Sequence, residues 1–70
     1  MKTSEIIQEA RKRLESSDGM DYKDHAVRLW RAIGYVCFER GIPEPHGMPD
    51  AGACPRAFGD WVADSEGGVE

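Results

Sequence analysis

The chain has 70 residues, with nine basic residues against thirteen acidic ones for a formal net charge of −4. That length holds one domain at most, and a chain this short buries only ~60% of its unfolded surface, so a disulfide, a metal or a partner would add needed stability. The acidic balance argues against a general nucleic-acid binder, two cysteines are too few for a disulfide-rich scaffold, and the longest uncharged apolar run, Ala32 to Phe38, is far short of the ~20 residues of a membrane span.

Residues 4–17 read as an amphipathic helix. Ser4 or Thr3 is placed to cap it, and Glu5 suits the positive end of the helix dipole. Ile6, Ile7, Ala10 and Leu14 recur at helical spacing within about 100° of arc, opposite Gln8, Glu9, Arg11, Lys12 and Glu15. Ser16-Ser17-Asp18-Gly19 then breaks the pattern.

Residues 22–40 read as a second, longer helix. Asp21 is its N-cap, Gly41 stands just past its end and Pro43 stops continuation. One apolar stripe holds Tyr22, Ala26, Leu29, Trp30, Ile33, Val36 and Cys37, which suits packing against the first helix. A separate strip holds Val27, Gly34 and Phe38 and calls for a second cover. Gly34 weakens a helix by ~1 kcal/mol relative to alanine, so its presence suggests a close approach beside Phe38.

Residues 42–54, IPEPHGMPDAGAC, read as a loop, either functional or mobile at that length. Residues 55–64 then read as a short third helix, with Pro55 at its first position, Cys54 at the cap, and Phe58, Trp61 and Val62 on one face. Residues 65–70 are expected to be a frayed tail. The resulting fold class is all-α: one small helical domain, an antiparallel hairpin of residues 4–17 and 22–40, with the third helix packed back on it. In this reading Phe58, Trp61 and Val62 cover the Val27, Gly34 and Phe38 strip. The alternative is that part of the strip docks another copy or another protein.

The residues able to carry chemistry are few. Zinc favours four soft ligands in tetrahedral array, and His25, Cys37, His46 and Cys54 show no paired knuckle spacing. Cys37, His46 and Cys54 are therefore only weak metal candidates, and no cofactor is expected. A Cys37–Cys54 disulfide would tie the third helix to the second, against the trend of a reducing compartment. Cys54 at a helix N-terminus beside Arg56 is a candidate reactive thiol, but no oriented base or pocket is legible beside it. No phosphate loop, catalytic triad or dinucleotide fingerprint occurs.

Surface recognition is the better prospect. Tyr35 lies off both apolar strips, and with Phe38 and Trp61 it is the kind of side chain that anchors a protein interface. Asp60 and Asp64 share one side of the third helix and, with Glu66 and Glu70, offer an acidic surface to a basic partner. His46 and Met48, held by Pro43, Pro45 and Pro49, form a semi-rigid second contact. The expectation is a non-enzymatic, cytoplasmic protein-interaction module with a protein partner, a homodimer being one form of it, and without nucleic-acid or membrane binding. The first residues carry no apolar signal stretch. In size, acidity and lack of a catalytic constellation the chain resembles small phage-type proteins that inhibit a larger host protein or nucleoprotein machine. The alternative is a small metal- or ligand-binding module using Cys37, His46 and Cys54.

Overall fold

The computed structural model describes residues 2–14 and 21–67. They form three helices, α1 (Thr3–Arg13), α2 (Tyr22–Arg40) and α3 (Pro55–Gly67), with no strand among the described residues. The all-α class holds, with α1 packed on α2 and α3 closing over both. No described helix is long and apolar enough to cross a membrane.

α2 begins and ends where its local signals place it. The Asp21 side chain accepts from the Asp24 N–H at 2.8 Å, which satisfies one of the orphan donors of the first turn. At the other end Gly41 takes the left-handed conformation, φ 66°. Its N–H donates to the Phe38 carbonyl and the Ile42 N–H donates to the Cys37 carbonyl, the two bonds of a Schellman closure. Ile42 then packs its side chain on the core.

The other two helices depart from expectation at their ends. α1 is capped at Lys2, one residue before Thr3 and two before Ser4, where the Glu5 carboxylate reaches back to accept from the Lys2 N–H at 3.0 Å. It stops at Arg13, short of residue 17, where Leu14 turns extended at φ −88°, ψ 105° while still packing on the core. The break expected at Ser16 to Gly19 lies outside the described residues. α3 runs three residues beyond 64, to Gly67, so Ser65 and Glu66 are helical. The reason is tertiary: Arg11 grips the Glu66 carboxylate with Nε at 3.0 Å and Nη2 at 2.7 Å, holding the last turn of α3 on α1.

The core is made of Ile6, Ile7 and Ala10 from α1, the Ala26, Leu29, Ala32, Ile33, Val36 and Cys37 stripe of α2, and Phe58 and Val62 from α3. Residues 42–54 are anchored to it. Ala51 is fully buried, and Ile42 and Met48 pack against the cluster. Asp50 turns the chain into α3: its Oδ1 accepts from the Gly52 and Ala53 N–H groups at 2.8 and 3.2 Å, and its carbonyl accepts from the Cys54 N–H at 2.9 Å.

Contrary to expectation, α3 leaves the Gly34 and Phe38 part of the second strip open, whereas Val27 is partly buried against the core. Phe58 and Val62 instead face Ala26 and Leu29 on the inner stripe of α2. Tyr22 lies at the edge of this contact. Predicted to join the core stripe, it is 59% exposed, and its hydroxyl donates to the Pro55 carbonyl at 3.1 Å. The same hydroxyl lies directly over Gly59, where a Cβ would collide with it. The glycine that weakens α3 as a helix is what lets α2 and α3 meet at this end.

Candidate outer face of α2

At 100° per residue, Arg31, Tyr35 and Phe38 project from α2 on the side opposite Ile33 and Val36. With α3 drawn to the inner stripe, this side is left open. Phe38 is 85% exposed and Tyr35 63% exposed. Together with Arg31, Gly34 and Glu44 they line a shallow, mainly apolar groove of about 460 Å³. The Glu44 carboxylate folds back over the missing side chain of Gly34, its Oε2 3.4 Å from where a Cβ would stand.

A second groove of about 400 Å³ runs along the other flank, between the end of α1 and the middle of α2. Arg13, Leu14, Arg28, Arg31, Ala32 and Tyr35 line it. Arg31 and Tyr35 thus form a ridge with a groove on each side. Arg13 is already committed: its guanidinium grips Glu39 at 2.6 and 2.9 Å. The paired charges hold the Glu39 carboxyl below its ordinary range, mainly through that hydrogen bond, and raise Arg13 for the same reason. Arg28 and Arg31 make no ion pair among the described residues.

The other residues singled out in the sequence fall elsewhere. Trp61 is half-buried, with its ring 5.9 Å from that of Phe58, and is partly used by the core. Met48 also packs on the core, while His46 is exposed in the turn that Gly47 closes at φ 81°. Asp60 and Asp64 are both exposed on α3 and line neither groove. The structure therefore brings Tyr35 and Phe38 together and leaves the acidic pair on a separate surface. Arg28, Arg31 and Glu44 were not singled out in advance. Arg31 is legible in hindsight, four residues before Tyr35 and seven before Phe38 and so on their face. Glu44 is not, since its place beside Gly34 depends on the path of the loop.

The two cysteines are free and unlike. Cys37 is buried and Cys54 exposed. Burial pushes the Cys37 thiol up, with a further contribution from Glu44, so it sits neutral in the core as a small apolar side chain. Among the described residues no three of His, Cys, Asp and Glu come together as a metal-ligating group. Compared with protein-family models, with curated proteins and with solved structures, the chain matches none.

Proposed function

We propose that this chain is a protein-interaction module rather than an enzyme, and that the outer face of α2 is its contact surface. The exposure of Phe38 carries the reading. A side chain of that size standing 85% open on a 70-residue domain forgoes roughly 2 kcal/mol of burial that a partner would recover. Tyr35 beside it adds a second aromatic with a polar tip, and Arg28 and Arg31 add charge at the edge that is unpaired among the described residues. Aromatic and arginine side chains around a shallow groove are the residue types that anchor interfaces. Free thiols at Cys37 and Cys54 suit a reducing, cytoplasmic setting. The finer reading, a small phage-type inhibitor of a larger host protein or nucleoprotein machine, rests on size and acidity.

Site-specific photo-crosslinking tests the surface. A photoreactive phenylalanine analogue at Phe38 or Tyr35 is expected to give covalent protein adducts in cells, and the same group at Lys12, on the exposed side of α1, is not. Adducts from Lys12 or Asp60 with none from Phe38 or Tyr35 would overturn the assignment. The mass of each adduct tells a second copy from a different protein.

A further inference from the structure

Four positions on the outer side of α2, Val27, Arg31, Gly34 and Phe38, are spaced four, three and four residues apart. This is the spacing of the seam along which two helices pack side by side in a coiled coil. Phe38 projects from it into solvent, Arg31 is exposed, Val27 is partly buried against the core at the far end, and Gly34 presents no side chain, its place bordered by the Glu44 carboxylate. We infer that the occupant of this seam is a second copy of the same chain, its α2 running antiparallel across a two-fold axis. The inference rests on the interaction reading above and names the partner for that surface.

The argument is self-complementarity. A two-fold axis midway between Arg31 and Gly34 sets each Phe38 opposite the second copy's Val27, and each Gly34 opposite the second copy's Arg31. Large thus faces medium, and a long side chain faces none. The charges match in the same register. Glu44 lies over Gly34, so the second copy's Arg31 enters the groove where that carboxylate waits. Within one chain Arg31 and Glu44 line the same groove without forming an ion pair. In the pair each Arg31 gains a carboxylate, and each Glu44 gains a guanidinium, twice over by symmetry. A parallel arrangement places Phe38 against Phe38 and Arg31 against Arg31, which sets like charges together. The acidic outer face of α3 is a poorer occupant: docking Asp60 and Asp64 on Arg28 and Arg31 is head-to-tail, which builds rings or open filaments rather than a closed pair.

One helix face is a small interface, at or below the ~800 Å² per partner of a standard complex, so association is expected in the micromolar range. Sedimentation equilibrium on the full chain, from about 1 to about 500 μM, tests it. Wild type is expected to dimerise. Arg31→Glu and Glu44→Arg each place like charges across the axis twice and are expected to weaken association by about tenfold or more. An equimolar mixture of the two variants restores an opposite-charge pair at both ends and is expected to associate as wild type does. Phe38→Glu is expected to abolish association. All three substituted positions are exposed, so helical circular dichroism is expected to be unchanged, and Phe38→Ala serves as a second variant at that site.

Three outcomes overturn the inference. A wild type that is monomeric throughout removes the second copy as occupant, while the interaction reading is then decided by the identity of the crosslinked adducts. A dimer indifferent to Phe38→Glu and Arg31→Glu uses another surface, which overturns the inference and counts against the outer face as well. Loss of association in both charge variants without recovery in the mixture overturns the antiparallel register alone.

Discussion

The two sides of α2 are built from similar residue types and end in different states. Ile33, Val36 and Cys37 on the inner side are completely or almost completely buried, whereas Tyr35 and Phe38, one or two positions away, stand open to water. Hydrophobicity alone does not separate them. What separates them is cover: α1, α3 and residues 42–54 all pack on one side of a helix that carries apolar residues on two. Substitutions of equal chemistry on the two sides should therefore have unequal effects. Phe58→Ala removes the ring that α3 contributes to the inner side and is expected to cost about 3–5 kcal/mol. A core of this size rarely supplies more than ~3–5 kcal/mol, so that variant should be largely unfolded. Phe38→Ala should shift the midpoint of urea unfolding of the monomer by the equivalent of about 0.5 kcal/mol or less. Equal losses at the two sites would break the comparison, since Phe38 would then be part of the fold.

The choice of side can itself be tested. If Tyr22 and Gly59 direct α3 to the inner stripe, a methyl group at Gly59 should disturb it. Gly59→Ala sets a Cβ against the Tyr22 hydroxyl, which must swing out and lose its bond to the Pro55 carbonyl, so the variant is expected to be destabilised by about 1 kcal/mol, even though alanine is the better helix former. Tyr22→Phe removes the hydroxyl that collides, at the expense of its hydrogen bond to Pro55. The double variant should therefore be more stable than Gly59→Ala alone, a coupling measurable in a double-mutant cycle by thermal unfolding. Additive effects would mean that the contact is incidental to where α3 packs.

These contacts also mark how far the sequence could be read. The bounds of α2 were legible because Asp21, Gly41 and Pro43 are local signals whose physics needs no neighbour. The end of α1 was not, because Leu14 keeps the helical spacing of the apolar stripe while its backbone has already turned extended. The end of α3 depends on Arg11, 55 residues from Glu66 in the chain, and no local pattern carries that information. At the candidate site the second strip on α2 was visible as a strip. Its assignment to α3 failed because a helix with two apolar sides leaves the choice of cover to tertiary packing, here Phe58 and Val62 against Ala26 and Leu29. Arg31 could have been placed beside Tyr35 from spacing alone, whereas Glu44 reaches the groove only through the fold of residues 42–54.

The smallest effect lies on the edge between the two sides, at Glu39. Its neighbour Phe38 belongs to the outer face, but its carboxylate is held by Arg13 of α1 and so ties the helices together. Because Arg13 lowers the Glu39 pKa in the fold, the unfolded chain binds that proton more readily. The contribution of the pair is therefore complete above the usual carboxylate range and is lost as pH falls through the lowered folded value. The raised Arg13 pKa acts only at the alkaline extreme, since its contribution would be lost only as pH rises beyond the ordinary arginine range. Glu39→Gln should therefore flatten the fall in melting temperature between about pH 6 and about pH 3, and high salt should flatten it in wild type by screening the same exposed pair. An unaltered pH profile would mean that the pair adds nothing to stability in solution. Measured beside self-association, the variant also locates the boundary of the outer face. A change in acid stability with association unaltered assigns Glu39 to the α1–α2 contact alone. A change in both would mean that clamping the end of α1 also shapes the surface on which Phe38 stands.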